Sequence, residues 1–334
     1  MKRLIFGMLF VLTIATCLRF FTHFSGGVGE VFARIASIPA LTWAVLAMLT
    51  SAFYALDWIR FRSVLSVLGY RLRWRDGIAL TCVSYFVTSL TPSAELHTPA
   101  MVYMLSRRLR VPVPQALAAS VTKSIYMTLW ICLVAYLTLF FNRTVPLPAL
   151  LRDSLPVLTL PLLFIALLLG LIAFFPAPLL SLVDGKVARW PPESLMRKLA
   201  AGIAQSAASI AAIGSSRHRQ HALCHAASIT FLLTYVAIGS ILASALGFSL
   251  SLMQALTIFS TSLMIAYLAP VPGAIGVTEV ATSYMLDPRL TPDGMAVSLT
   301  LRILCWYLVA FPGTLVLLRE FARDGKWSFP RLFK

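Results

Sequence analysis

The sequence predicts an all-α polytopic membrane protein, with about six transmembrane helices and two re-entrant or broken helical hairpins arranged as inverted repeats. Three observations carry this. The chain of 334 residues is 59% hydrophobic and 12% charged, with a mean hydropathy of +0.85, whereas a globular domain carries about a quarter charged residues. Six runs reach the roughly 20 apolar residues a helix needs to cross the hydrocarbon. Two further apolar stretches are interrupted by proline-rich breaks, which leaves pieces too short to cross. The composition excludes a soluble enzyme, and the net charge of +16 needs no nucleic acid, because cytoplasmic loops of membrane proteins are rich in Lys and Arg.

In chain order, the first run, 4–21, follows Met1-Lys2-Arg3 and has no A-x-A cleavage site, so it is expected to stay as a helix. The next span is 38–58. Residues 78–106 are apolar but broken at Thr91-Pro92-Ser93-Ala94-Glu95, and 115–141 spans again. After 155–175 comes a stretch, 176–220, expected to be a cytoplasmic linker with a helical Ala/Ser/Ile-rich part. A span at 221–246 leads to a second broken stretch, 252–286, interrupted at Pro270-Val271-Pro272-Gly273-Ala274-Ile275-Gly276. A last span, 294–318, precedes a basic tail, 319–334. The whole chain, 1–334, reads as a single transmembrane domain. The five cysteines are scattered through apolar runs and form no C-x-x-C pair, so they read as small buried hydrophobes.

Charge tests the topology. If both broken segments return to the side they entered from and both termini are cytoplasmic, 21 basic residues face the cytoplasm, from Lys2 through Arg60, the Arg71–Arg75 and Arg107–Arg110 clusters, to Lys334. Five face the other side. Only Lys123 and Arg302 remain within spans. Residues 38–141 and 221–318 then share one order, span, hairpin, span, with opposite orientation. In transporters such inverted repeats place the substrate site at the midplane between broken helices.

The candidate functional residues follow from cost. An Arg or Lys at the centre of a lipid-facing helix costs about 2.5–3.5 kcal/mol on insertion scales, so Lys123 and Arg302 must face a polar interior or a partner. Each half offers a broken helix with a carboxylate and then a span with a cation: Glu95 before Lys123, Glu279 before Arg302, with His97 beside the first break. Two roles stay open for the glutamates. They either hold headgroups or coupling protons in a cavity, or they cap half-helices and neutralise the cations. The turns rest on Pro92, Ser93, Pro270, Pro272, Gly273 and Gly276. His218, His221 and His225 share a helical face but lack a carboxylate or thiolate grouping for a metal. Gly239, Ala243 and Gly247 form a small-residue packing row. Trp43, Trp58, Trp74, Trp306 and Trp327 fall mostly near predicted interfaces. Neither G-x-S-x-G nor a P-loop is present, and no cofactor or metal is expected.

The stretch Ala269-Pro270-Val271-Pro272-Gly273-Ala274-Ile275-Gly276-Val277-Thr278-Glu279 resembles the P-x-P-G-G-x-G-x-x-E element of the lysylphosphatidylglycerol synthase transmembrane region, a flippase-like family. Pro92 to Leu96, followed by Tyr103 to Arg108, is similar to that family's upstream P-G-x-x-G-E element and basic loop. Ala116 to Tyr126 and Leu301 to Trp306 are similar to the spans after each element, with Lys123 at a position where the family has Arg. Ser93 and Glu95 depart from the glycines of the first element, and Ala274 from a glycine of the second. The resemblance implies a lipid translocase of the bacterial inner membrane, sometimes fused to an aminoacyltransferase. Only a short basic tail follows the last span here, so lysyl transfer is not expected. The expected function is translocation of a phospholipid, polyprenyl-linked or related envelope lipid through a polar groove between the repeats. Anionic or zwitterionic membrane lipids are the expected partners, with a second copy or an envelope-synthesis enzyme as candidates. The alternatives are an intramembrane enzyme acting on a lipid phosphate through Glu95 and His97, and a non-transporting partner of an envelope lipid synthase.

Overall fold

A computed structural model describes residues 27–91, 97–142, 144–147, 160, 195–214, 218–269 and 271–324. Every regular element among them is helical. The expected spans at 4–21 and, apart from Leu160, at 155–175 lie outside the described residues, as do Pro92, Ser93, Glu95 and Pro270. Four described helices are long and apolar enough to cross a membrane, over Ala40–Val67, Val113–Phe141, Arg219–Ala245 and Pro292–Glu320. These match four of the expected spans, although the first runs well past residue 58. The protein is an integral membrane protein. Its outer surface carries Leu41, Phe140, Phe141 and Phe311, all at least 68% exposed, a pattern suited to lipid and hazardous in water.

We number the elements α1 (Val28–Ala36), α2 (Ala40–Val67), α3 (Trp74–Leu90), α4 (Thr98–Arg108), α5 (Val113–Phe141), α6 (Leu195–Gly214), α7 (His218–Ala245), α8 (Leu252–Leu268), α9 (Val277–Leu286), α10 (Pro292–Arg302), a π-helical turn (Ile303–Tyr307) and α11 (Leu308–Asp324). The last helix thus continues into what reads as a tail from residue 319. Both breaks have the same cause. A residue before proline is driven out of helical backbone, and Thr91 (ψ 142) and Ala269 (ψ 128) are extended just before Pro92 and Pro270. At about 1.5 Å per residue, the 17 residues of α3 or α8 reach about 25 Å, short of the roughly 30 Å core.

Contacts fix where the hairpins lead. The Tyr70 hydroxyl, after α2, donates to Gln115 Oε1 near the start of α5 at 2.7 Å, so the α3–α4 hairpin returns to the end of the molecule it left. Leu246, after α7, packs with Met295 and Ala296 of α10, so the α8–α9 hairpin does likewise. The helices α2 and α7 run antiparallel: Arg60 meets Cys224 and Ser228, while seven residues earlier Phe53 meets Phe231 and Tyr235. The two hairpins therefore open at opposite ends. At one end Arg108 pairs with Glu320 (2.6 Å) and Asp76 (3.6 Å). At the other, Arg34 of α1 pairs with Asp293 (3.3 Å) and Asn142 donates to Thr257. The hairpin tips meet in between, where the Gly273 N–H donates to the Thr91 carbonyl at 3.2 Å.

Candidate functional site

The first polar centre is built on α2 and α5. Asp57 and Arg60 stand one helical turn apart and form an ion pair, with Arg60 Nη1 donating to Asp57 Oδ1 at 2.9 Å. Lys123 Nζ lies 2.9 Å from Asp57 Oδ1 and donates to Oδ2 at 3.0 Å. Arg60 commits its other donors to the Ser228 hydroxyl (3.0 Å) and the Lys123 carbonyl (3.2 Å), and its guanidinium lies over the Phe231 ring. All three charged residues are buried. Burying charges this way is tolerable only with close pairing and further hydrogen bonds, and the cluster supplies both. Among the described residues of this cluster, two cations face one carboxylate. A cleft of about 30 Å³ opens on this cluster, lined also by Ser84, Tyr85, Thr88, His97, Tyr267 and Trp306. His97, at the start of α4, is buried. Thr88, His97 and Tyr267 flank the two breaks, so the cleft sits where the hairpins meet.

The second centre joins α9, α10 and the second break. Glu279 lies in the first turn of α9; its Oε2 accepts from the Gly276 N–H at 2.8 Å, and its Oε1 accepts from Arg302 Nε at 3.3 Å and the Tyr307 hydroxyl at 3.4 Å. Arg302 Nη2 donates to the Gly273 carbonyl. Arg302 is 1% exposed and its Nη1 has no hydrogen-bond partner among the described residues. The backbone of this break is left-handed at Gly273 (φ 59), Ala274 (φ 52) and Gly276 (φ 83). Glycine suits such positions best, which accounts for the glycines of the motif; Ala274 holds one of them at some steric cost. A Cβ on Gly273 would lie 3.1 Å from the Ser89 backbone, so this position also needs glycine for the tip contact.

Aromatic rings separate the two centres. Phe53 stacks on Phe231 at 4.0 Å, and Tyr54, Tyr85, Trp306 and Tyr235 continue the wall edge to face. The π-turn follows Arg302 directly and carries Trp306, which lines the cleft and lies 4.6 Å beneath the Arg302 guanidinium. The Tyr54 hydroxyl donates to the Leu304 carbonyl at 2.6 Å. π-turns often mark functional sites. Trp306 is thus a buried element of the centre, 3% exposed, and not an interface anchor.

Several sequence expectations are refined. Arg302 does meet Glu279. Lys123 meets Asp57, a residue the sequence reading passed over, while Glu95 lies outside the described residues. Arg60, counted as a cytoplasmic loop cation, is buried inside α2. The signal for both was present: Asp57 is an acidic residue within an apolar run, three positions from an arginine, and ending the span at 58 hid it as a boundary charge. His221 and His225 bind α5 instead of standing as a free face, through the Tyr126 hydroxyl (2.5 Å) and the Trp130 N–H (3.1 Å). Ser89, Thr91 and Ser260 return their hydroxyls to carbonyls four residues back, as Ser and Thr do in membrane helices. Gly239 seats the Phe259 ring.

With this geometry in hand, the sequence matches the family described as the lysylphosphatidylglycerol synthase TM region over residues 4–313. The chain belongs to that family. The match takes in every helix from α1 to α10, both breaks, and all the charged residues of the two centres. No curated protein and no solved structure matches the chain. Membership ties the protein to membrane lipid metabolism in the broad sense.

Proposed function

We propose that the protein translocates a phosphate-bearing envelope lipid, with its headgroup passing between two inverted repeats while the acyl chains stay in the bilayer. The observation that carries this is the cationic cleft at the meeting point of the two hairpin tips. A phosphate is anionic, and Lys123 is the cation on a flexible stem, while Arg60 is held by Ser228, Asp57 and the Lys123 carbonyl. Asp57, and Glu95 and His97 near the first break, are the groups that would neutralise the cleft when it is empty or accept an amine or a coupling proton. Glu279 and Arg302 hold the second tip.

The repeat reading is supported by helix order and packing. The elements α2 to α5 start at 40, 74, 98 and 113, and α7 to α10 start at 218, 252, 277 and 292. The offset is 178 or 179 residues throughout, and the hairpins open to opposite ends. The basic clusters at 71–75 and 107–110 lie at the end we assign to the cytoplasm of a bacterial inner membrane, with both termini on that side.

The reading excludes chemistry on the lipid. In liposomes carrying fluorescent phosphatidylglycerol, Lys123→Met and Glu279→Gln are expected to slow movement at least tenfold while the protein still inserts and folds, and the lipid is recovered chemically unchanged. Full activity in both variants would sink the cleft as the pathway. A hydrolysed or transferred headgroup would make the protein an enzyme acting through Glu95 and His97.

A further inference from the structure

The offset between the halves superimposes their polar residues. At 178 residues, Phe53 corresponds to Phe231, and these two rings stack on each other at 4.0 Å, as residues on a pseudo-two-fold axis should. The same offset relates Asp57 to Tyr235 and Ser84 to Ser262. At 179, Lys123 corresponds to Arg302 and Met127 to Trp306. The cleft lined by Asp57, Ser84, Lys123 and Met127 therefore has a counterpart built from Tyr235, Ser262, Arg302 and Trp306, and that counterpart is shut. Tyr235 is 0% exposed and Arg302 1%.

A shut region of packed protein normally has its polar groups satisfied. This one does not. The Tyr235 hydroxyl neighbours Ser262, whose own hydroxyl pairs with Thr282, but makes no hydrogen bond of normal geometry among the described residues, and Arg302 Nη1 has no partner among them either. Two buried donors without a well-formed hydrogen bond among the described residues, at the position the offset relates to the first cleft, point to a ligand that would complete them. Arg302 Nη1 can only donate and the Tyr235 hydroxyl can donate to the same atom, so the ligand offers an acceptor oxygen, and a charged oxyanion makes the stronger bond to the guanidinium.

We propose that Tyr235, Ser262 and Arg302 form a second oxyanion site, which takes a phosphate group when the second repeat opens and the first closes. This rests on the translocation reading for its purpose. Its existence does not, because free phosphate carries the same acceptor oxygens. Trp306, between the two centres, separates them in the present state, so the headgroup occupies one site at a time.

Tyr235→Phe is the discriminating variant. It removes a buried hydroxyl that has no well-formed hydrogen bond among the described residues, so the unfolding temperature should be unchanged or slightly higher. Movement of fluorescent phosphatidylglycerol should nevertheless fall at least tenfold; an unchanged rate would overturn the proposal. A second measurement uses Cys305, which is 0% exposed, within the π-turn. In a variant retaining only this cysteine, N-ethylmaleimide should alkylate it as the second site opens, at least tenfold faster than it alkylates Cys132 in the matching Cys132-only protein. Phosphatidylglycerol in the vesicles should slow that alkylation. Inorganic phosphate tested in detergent separates the sources: equal protection assigns the site to the oxyanion alone, and no protection assigns it to the whole headgroup. Cys305 as inert as Cys132 in protein that moves lipid would overturn the second site and leave the translocation reading standing. Alkylation slowed by phosphate in protein that moves no lipid would do the reverse.

Discussion

At the scale of single residues, the Asp57 carboxylate pairs with two cations at once. It accepts from both Arg60 and Lys123, and all three are buried, so removing it takes a carboxylate from two buried cations. Losing one partner of a buried pair costs about 3–5 kcal/mol. Asp57→Asn should therefore lower the free energy of unfolding in detergent by that much, read as a lower midpoint, and an unchanged midpoint would show that the cluster is solvated. Replacing Asp57, Arg60 and Lys123 together with Leu and Met should restore most of the stability, because apolar side chains of similar volume often serve as well, while lipid movement stays lost. That contrast separates a functional cluster from a structural one. Half of this site was readable in the sequence. Lys123 and Arg302 stood out because nothing else explains a cation in an apolar run. Asp57 and Arg60 did not, because a charge near the end of a predicted span looks like a boundary, and only the fold shows that α2 continues to Val67.

At the scale of elements, close approach of backbones holds the hairpins in place. A Cβ on Gly313 of α11 would sit 2.1 Å from the Cys82 carbonyl oxygen of α3, a backbone atom that cannot rotate away. Apolar burial gives little drive for helices to associate in lipid, so tight small-residue contacts matter more there. Gly313→Ala should force α11 from α3 and cost on the order of 1–3 kcal/mol. Gly273→Ala should act differently. It strains a left-handed backbone by about 1–2 kcal/mol and disturbs the tip contact with Thr91, so it is expected to depress transport more than stability. Unfolding midpoints and liposome transport measured on both variants check this; equal effects of the two on both quantities would contradict it. The turn glycines were legible as motif letters, since proline and glycine betray a break by themselves. Gly313 was not, because its role lies in which helix faces it, and spacing along one helix does not contain that.

At the scale of the molecule, the order of spans and breaks was legible because hydrophobic length and proline act locally. The correspondence between the halves was not, because they share helix order and offset but few letters: at that offset Asp57 falls opposite Tyr235, and Glu279 opposite Ala100. What survives between them is geometry, and geometry makes a sharp demand. If α2–α5 and α7–α10 are inverted copies, the α2–α3 connection at Gly69 and the α7–α8 connection at Gly247 must lie on opposite faces of the membrane. The structure puts Tyr70 with Gln115, at the end where Arg108 meets Glu320, and Leu246 with Met295, at the end where Arg34 meets Asp293. A single cysteine at Gly69 should thus be labelled by a membrane-impermeant maleimide only from the side that carries the Arg71–Arg75 cluster. One at Gly247 should be labelled only from the other. Arginine and lysine are retained on the cytoplasmic face, so in intact cells the Gly247 variant should react and the Gly69 variant should react only after the envelope is opened. Labelling of both from one side would mean that a hairpin crosses the bilayer. The two centres would then no longer be related by inversion, and a headgroup could not pass from Lys123 to Arg302 by exchanging the roles of two like halves.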